Sequence, residues 1–498
     1  MNTVLWMCGA LALAASHDEA TPADVAAATD EATEPNAAPP GPIVDRTSPP
    51  PVQPPEVLVL PEPVVHQLTP AVTVYHVRVP GVRKVEIALL PRRGQASVTG
   101  TTGVEGAAVG WLADAASQTH TAAEFSELED LHSVDVYSGL YTFDGKVGVE
   151  GPLPELDTAL DMLTEIVRGA AFPKTETKRW VLDQYQYFGV SGPSSQGRVA
   201  ARADGFGWFP ADSPYGARPD PGTLASIEPA ALEAHYRRWL SESPIDVLAV
   251  GDFAFEDVEM RLLAMVEGLG QPGDLEPQPT LAAKDGNRVI AVDMPGQEQV
   301  ALRLRTEAPP QQHEQRVAMR AINYVLGGHF LSRLNTNLRE EKGWTYGSRS
   351  SYQVRDAYGY LSINVDVGAE NTAAAVREIE GELQRLVDEG VTADELQLAY
   401  RRMVAGWNNT NITAAEAFES YEMAIDDRES METLRARYVD LADLTPEQLK
   451  AVAAEWLHPD KPRQWVLVGD RAQIEAHLEE LGWTAEWLTP QQAILGRF

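Results

Sequence analysis

The chain has 498 residues, of which 44% are hydrophobic, so it can form several domains with buried cores. Its formal net charge of −33 argues against nucleic acid or anionic lipid as a partner, because binders of both gain affinity from clustered Lys and Arg. The single cysteine, Cys8, excludes an intrachain disulfide and a cysteine-based metal site.

The N-terminal segment, residues 1–17, contains an apolar run that is too short to span a bilayer comfortably. Alanines at A-x-A spacing are typical of a signal-peptidase site, although no basic residue precedes the run. We therefore expect an export signal or anchor and a periplasmic or cell-envelope location, with a simple apolar tail as the alternative. Cys8 is a candidate for lipid attachment, but Trp6 and Met7 stand before it where small residues would be expected.

Residues 18–64 are first acidic and then rich in proline, as in the stretch "PPGPIVDRTSPPPVQPPEVLVLPEP". Proline fixes φ and lacks the backbone N–H, so this stretch predicts neither a helix nor a central strand. We expect a disordered or polyproline-like tether, which would hold the protein away from a membrane. The alternative is an N-terminal tail that has no function.

From about residue 69 onward the pattern changes to that of a folded region with both strands and helices. Alternation and β-branched residues predict strands at 71–80, 84–93, 134–143 and 146–151. Helical periodicity predicts helices at 105–116, 121–132, 154–168 and 174–188. This order is typical of an α+β fold with mainly antiparallel strands.

An internal repeat appears in the globular part. The stretches "EPAALEAHYRRWL" at 228–240 and "TPEQLKAVAAEWL" at 445–457 share a Pro near the start, a Leu three residues later and a final Trp-Leu. Each leads to a predicted strand that ends in Gly-Asp, at 245–252 and 464–470. The helix pair is offset by 217 positions and the strand pair by 218, an agreement that chance rarely produces.

The repeat predicts two tandem domains that share one fold. The first would occupy 65–270 and the second 288–498. Between them, residues 271–287 are polar and rich in Pro and Gly, which is typical of a linker.

Both halves resemble the insulinase/pitrilysin-type zinc peptidases, the inverzincin family, from about residue 65 to the end. The stretch "SPYGARPDPGTLASIEPAALEAHYRRWL" is similar to a segment of that family's first half, and "VLGGHFLSRLNTNLREEKGWTYG" is similar to the signature of its second half. The resemblance implies that each half packs a mainly antiparallel sheet against helices. It also implies a clamshell, made of two such chains or four such halves, that closes around a peptide.

The zinc-binding residues that the resemblance implies are missing from this chain. The family carries H-x-x-E-H on a first-half helix, where two histidines bind zinc and the glutamate acts as base. The matching stretch reads "GVEGAAVGWLADAASQTH", and no two of the ten histidines are closer than ten positions. The family's third ligand, a glutamate, should fall near Glu176 and Asp183, which we expect to be solvated carboxylates. His132 and His329 are expected to be ordinary hydrogen-bonded groups, so no metal is predicted in this chain.

The second-half signature contains two candidate substrate-binding residues, Arg339 and Tyr346. In the family the matching Arg and Tyr reach toward the zinc site of a facing half, where Arg holds substrate backbone and Tyr supports the oxyanion. A guanidinium offers fixed donors to carbonyl oxygens, and a phenol can donate to a developing negative charge. The alternative is structural: Arg339 pairs with Glu340 or Glu341, and Tyr346 packs at the start of a strand.

These observations predict a non-catalytic subunit of an insulinase-family metallopeptidase. It would pair with a homologous zinc-bearing subunit, complete that partner's peptide-binding chamber and hold no cofactor itself. One alternative is a structural or peptide-binding module without a role in hydrolysis. Another is a peptidase with an unconventional site, although no nucleophile–base constellation stands out in the sequence.

Overall fold

The computed structural model describes residues 55–95, 104–188, 194–211, 214–216, 221–273, 286–355, 357–413 and 416–498. The predicted signal or anchor segment, most of the predicted tether and most of the predicted linker lie outside these residues. Among the helices that are described, none is both long and apolar enough to cross a membrane.

The first sheet is built from six strands. Their bounds are β1 Val64–Thr69, β2 Val72–Arg78, β3 Lys84–Pro91, β4 Asp135–Leu140, β5 Gly145–Pro152 and β6 Ile245–Gly251. The order across the sheet is β1-β2-β6-β3-β5-β4, and every neighbouring pair is antiparallel except β2 and β6. Strand β3 is buried along almost its whole length, which explains its nearly unbroken apolar sequence: both of its faces are covered.

The second sheet also has six strands. Their bounds are β7 Arg288–Asp293, β8 Gln299–Ala308, β9 Ser348–Arg355, β10 Tyr358–Gly368, β11 Arg463–Gly469 and β12 Glu486–Leu488. The order is β12-β7-β11-β8-β10-β9. Strand β7 is parallel to both of its neighbours, and the remaining pairs are antiparallel.

Helices connect and cover the strands. In the first half they are α1 Val104–Leu112, α2 Ala122–His132, α3 Leu156–Gly169, α4 Lys174–Tyr187, α5 Gln196–Trp208, α6 Pro221–Leu224, α7 Pro229–Glu242 and α8 Phe255–Val266. In the second half they are α9 Arg316–Gly327, α10 Arg333–Asn335, α11 Thr372–Asp388, α12 Ala393–Thr410, α13 Phe418–Asp427, α14 Met431–Val439, α15 Pro446–Trp456, α16 Arg471–Leu481 and α17 Pro490–Leu495. A π-helical turn at Thr336–Glu341 follows α10 directly.

Local sequence explains several of the helix starts. At α2 the Thr121 hydroxyl accepts from the Glu124 N–H while the Glu124 carboxylate accepts from the Thr121 N–H, a capping box that satisfies two N–H groups left over at the helix start. Thr445 and Gln448 repeat this arrangement at α15. Helix α1 ends at Leu112, four residues before the end of the helix predicted at 105–116.

Five of the six strands in each sheet are equivalent. In β2-β6-β3-β5-β4 and β7-β11-β8-β10-β9 the order is the same and so is the direction of each pairing. The repeated helices also match, because α7 leads into β6 and α15 leads into β11. The α+β fold class, with two sheets packed against helices, is confirmed. The sixth strands differ. Strand β1 comes before its neighbour β2 in the chain and pairs with it antiparallel, whereas β12 comes after β11 in the chain and pairs in parallel with β7.

Each sheet is covered partly by the other half of the chain. Helix α5 packs on β8 and β11, so Val466 and Val468 of the second sheet belong to the same core as Ile87 of the first. In return, the face of the first sheet that carries Leu90 packs against Tyr421 of α13. The two halves therefore share two cores and stabilise each other.

Residues 55–63, just before β1, run across helices of the second half, and we call this segment the strap. The Leu58 N–H donates to Asn408 Oδ1 over 2.8 Å, and Trp407 Nε1 donates to the Leu58 carbonyl over 3.0 Å. The prediction of a tether over 18–64 is therefore wrong for its last residues, 55–64, which are packed on the folded part.

Candidate functional site

Helix α1 contains the stretch that the resemblance matches to the family's metal-binding helix, and it is closely packed. Gly106 and Gly110 lie one turn apart on it. A Cβ at Gly106 would lie 2.6 Å from Cγ of Gln95, and one at Gly110 would lie 2.6 Å from the Leu140 main-chain nitrogen in β4. Only glycine fits this close approach, so neither position could carry a larger side chain without moving its neighbours.

The region expected to supply a third metal ligand lies on α4, which packs against α1. Glu176 is 3.7 Å from Arg179 on the next turn, and Asp183 is exposed to solvent. Both are thus surface carboxylates in the structure. Within the described parts of the chain, no group of three or more His, Cys, Asp or Glu side chains could hold a metal ion.

The histidines named from the sequence each have a hydrogen-bond partner. His132 Nδ1 is 2.9 Å from Glu155 Oε2, which ties the end of α2 to the start of α3. His329 Nδ1 is 2.9 Å from the Tyr324 carbonyl, and its ring stacks on the Tyr324 ring at 4.5 Å. Neither histidine belongs to a group of three or more His, Cys, Asp or Glu side chains that could hold a metal ion.

One cluster contains the residue types of a nucleophilic triad but not its geometry. Ser117 Oγ donates to Glu165 Oε1, and His120 Nδ1 lies 2.8 Å from the same carboxylate oxygen. In a working triad the base stands between the hydroxyl and the carboxylate, whereas here the carboxylate stands between the other two. Ser117 Oγ also accepts the N–H groups of Thr119 and His120, so it closes a turn. The cluster gives no support to an unconventional peptidase site.

The second-half signature folds into α10, the π-helical turn and a tight exit. Leu338 is fully buried and anchors the turn, and its carbonyl accepts the Trp344 N–H over 3.0 Å. Gly343 has φ +66°, a conformation that side chains with a Cβ rarely adopt. This exit separates Arg339, on the turn, from Tyr346, beyond it.

The two candidate residues differ in how they are held. The Arg339 guanidinium lies 4.3 Å above the ring centre of Phe330 and 3.6 Å from Glu340 Oε1, and a third of its side chain is exposed. The expected alternative, pairing with Glu340, is thus present at a long distance. Tyr346 is 92% exposed, so the other alternative, packing at the strand start, is not what the structure has.

A cleft of about 630 Å³ lies beside the π-helical turn, lined by polar side chains that the sequence analysis missed. Asn337 Nδ2 donates to Glu378 and Glu382 of α11 over 2.9 and 2.8 Å, and Lys342 donates to Asn337 Oδ1. The Asn337 hydrogen bond and the nearby Lys342 lower the pKa of Glu378. The only sequence signal was two glutamates four residues apart, which share one helix face.

Comparison with known proteins gives a match that begins near the end of the first half and extends into the second. Residues 226–403 match the model of the peptidase M16 inactive domain. An uncharacterized zinc protease of Streptomyces coelicolor is 26% identical over 262 residues, which cover 48% of this chain and 54% of the relative. The chain therefore spans about half the length of that curated relative.

Solved structures share the fold. A peptidase M16 inactive domain from Pseudomonas fluorescens has a TM-score of 0.73 at 19% identity, covering 82% of this chain and 98% of that one. A protease from Helicobacter pylori has a TM-score of 0.70 at 16% identity, covering 82% and 100%. The periplasmic protease PqqL from Escherichia coli has a TM-score of 0.67 at 12% identity, covering 84% of this chain and 47% of that one.

The fold and the matched domain together define a class, that of the peptidase-like proteins with paired α+β halves. Within that class, residues 226–403 are similar to the peptidase M16 inactive domain, and the chain lacks the H-x-x-E-H sequence. The resemblance inferred from the sequence is confirmed.

Proposed function

We propose that this chain is the non-catalytic subunit of a two-chain metallopeptidase, in which a homologous zinc-bearing subunit supplies the metal site. In that complex the second half of this chain contributes Arg339 and Tyr346 to a chamber that encloses a peptide. The observation that carries the proposal is the 92% exposure of Tyr346.

An exposed tyrosine gives up the packing that a large aromatic ring normally contributes to a folded chain. Its hydroxyl is thereby free to reach a group on another molecule. Arg339 complements it, because the ring of Phe330 supports the guanidinium while the 3.6 Å separation from Glu340 leaves its donors available. Two such side chains suit the backbone and the developing oxyanion of a peptide substrate.

The first half of the chain also supports a non-catalytic role. Two glycines occupy one face of α1, and a Cβ at either position would meet Gln95 or β4, so neither position has room for the side chain of a metal ligand unless its neighbours shift. A zinc site in a partner chain would supply the Lewis acid and the activated water of peptide hydrolysis. This chain would then bind and orient the peptide.

Export and envelope attachment are part of the proposal. The apolar start and the proline-rich stretch that follows favour it, and the Escherichia coli protein with the same fold is described as periplasmic. The N-terminus would then serve as a membrane tether.

A structural or peptide-binding module without hydrolysis is the second candidate function. The cleft of about 630 Å³ beside the π-helical turn favours it, because its lining already offers both carboxylates and cations to a peptide. The two functions differ in turnover, since only the first requires a zinc-bearing partner.

The test is reconstitution with an H-x-x-E-H homologue from the same genome, followed by peptide hydrolysis assays. Tyr346→Phe removes one hydroxyl donor, and Arg339→Ala removes the charge-assisted hydrogen bonds that the guanidinium would donate to the substrate. Losing such a donor typically lowers turnover about a hundredfold or more. The thermal midpoint and partner affinity should not change, and Tyr187→Phe, at a half-exposed tyrosine of α4, is the matched control.

Three results would count against the proposal. Unchanged turnover in both variants favours the structural alternative for these residues. A large fall in the thermal midpoint says that they serve folding. Metal analysis that finds about one zinc per isolated chain after dialysis would place the metal in this subunit instead.

A further inference from the structure

The strap, residues 55–63, is buried with a period of three. Val57 and Leu60 are 5% and 9% exposed, whereas Val59 between them is 65% exposed. A polyproline II helix has three residues per turn, so a peptide in that conformation turns every third side chain toward one surface. The prolines that flank these residues favour the same conformation.

Side chains of helix α12 form hydrogen bonds with the main chain of the strap. The Asn408 side chain accepts the Leu58 N–H at Oδ1 over 2.8 Å and donates from Nδ2 to the Glu56 carbonyl over 2.8 Å. A single amide therefore pairs with both a donor and an acceptor of the extended backbone. Such a pair recognises an extended peptide whatever its side chains are.

Four consecutive strap carbonyls, 55–58, accept hydrogen bonds from side chains of α12 and α14. Besides Asn408, the donors are Tyr400 Oη to residue 55 at 3.3 Å, Arg435 Nε to residue 57 at 3.3 Å and Trp407 Nε1 to residue 58 at 3.0 Å. The Trp407 ring also lies 4.8 Å from that of Tyr438 on α14, centre to centre. Aromatic rings that carry hydrogen-bond donors are the usual lining of sites for polyproline II peptides.

The far end of the strap is fixed by charge. The Glu62 carboxylate accepts the main-chain N–H groups of Met431 and Glu432 over 3.1 and 2.9 Å, at the first turn of α14. A negative charge at a helix N-terminus is favourable, because the unpaired N–H groups there carry partial positive charge. This contact sets the direction and register of the strap.

We propose that α12 and α14 form a binding groove for an extended, proline-flanked peptide with apolar residues three positions apart, and that the chain's own strap is its occupant. The strap continues directly into β1, so its effective concentration at the groove is high and it excludes competitors. When the strap is weakened, the same segment supplied as a separate peptide takes its place.

The test uses the full chain and a fluorescent synthetic peptide of residues 55–63. Val57→Asp with Leu60→Asp places charges where the strap is buried and empties the groove. We expect this double variant to bind the peptide and the unaltered chain not to bind it. Adding Asn408→Ala should weaken binding about tenfold or more, since it removes two hydrogen bonds. Adding Asn409→Ala, at the exposed neighbouring position, should leave binding unchanged.

A second measurement covers the case in which the double variant does not fold. In the unaltered chain, hydrogen exchange of the Leu58 amide should be slow. The single variant Asn408→Ala should accelerate this exchange about tenfold or more, whereas the single variant Asn409→Ala should not change it. The proposal is overturned if a folded double variant fails to bind the peptide. Binding or exchange that is insensitive to Asn408→Ala overturns it equally.

Discussion

Glu86 of β3 carries a proton-linked part of the stability of this protein. Its side chain is 11% exposed, the Tyr137 hydroxyl donates to its Oε1 over 3.0 Å, and Lys84 Nζ lies 3.4 Å from its Oε2. Burial raises the pKa of Glu86 from 4.5 to about 7, with Lys84 opposing and Glu150 reinforcing the shift. The folded chain therefore holds a proton on this carboxyl more tightly than the unfolded chain does.

The sign of the effect follows from that difference. Because the folded-state pKa is raised, the contribution of Glu86 to stability is fully present below pH 4.5 and is lost as the pH rises through about 7. One pKa unit corresponds to about 1.4 kcal/mol, so the change in the free energy of unfolding across this window is about 3 kcal/mol. At neutral pH and above, Glu86 destabilises the fold because a charged carboxylate is then buried.

Glu86→Gln tests this account, because the amide oxygen keeps the Tyr137 hydrogen bond and removes the titration. We expect urea unfolding to show equal stability of variant and unaltered chain near pH 4.5, and a variant more stable by up to about 3 kcal/mol near pH 8. Asp183→Asn, which removes an exposed carboxyl of α4, is the matched control. Parallel curves for Glu86→Gln and the unaltered chain would refute the reasoning.

Two further predictions concern the packing of α1 and a buried ion pair. Gly110→Ala places a methyl group 2.6 Å from a main-chain nitrogen of β4 and should cost about 1–3 kcal/mol in urea unfolding, whereas Gly205→Ala, in open space on α5, should not destabilise. No loss for Gly110→Ala would show that α1 can move off β4. Asp204→Asn leaves Arg305 buried without its charge partner across the two halves and should cost about 3–5 kcal/mol, against less than about 1 kcal/mol for Asp157→Asn in an exposed ion pair. Equal costs for these two variants would contradict the buried pairing.

Much of the fold could be predicted because its signals are local. Strands β2 and β3 follow from alternating and β-branched residues, and α2 from its helical periodicity. The duplication was visible as one helix–strand pattern at an offset of 217 to 218 positions. The lack of H-x-x-E-H is likewise a property of the sequence itself, and no tertiary contact can restore it.

The candidate site was predicted only in part. The signature pointed to Arg339 and Tyr346, but not to the cleft beside the π-helical turn, because Asn337 meets Glu378 only after α11 folds back onto that turn. Sequence also left two structural alternatives open for these residues. The 92% exposure of Tyr346 argues against the packing alternative for that residue. The exposure of a side chain depends on which other segments cover it, so the sequence alone could not decide it.

The sequence by itself determined half of the strands, the main helices of the first half, the two related halves and the missing zinc motif, since each depends on local patterns in the chain. The tertiary structure decided that α5 of the first half covers the second sheet and that the strap packs on α12 and α14. An amphipathic pattern shows which face of a segment will be buried, but not which surface will bury it. Leu58 and Asn408 are 350 positions apart, and their pairing follows from the arrangement of both halves.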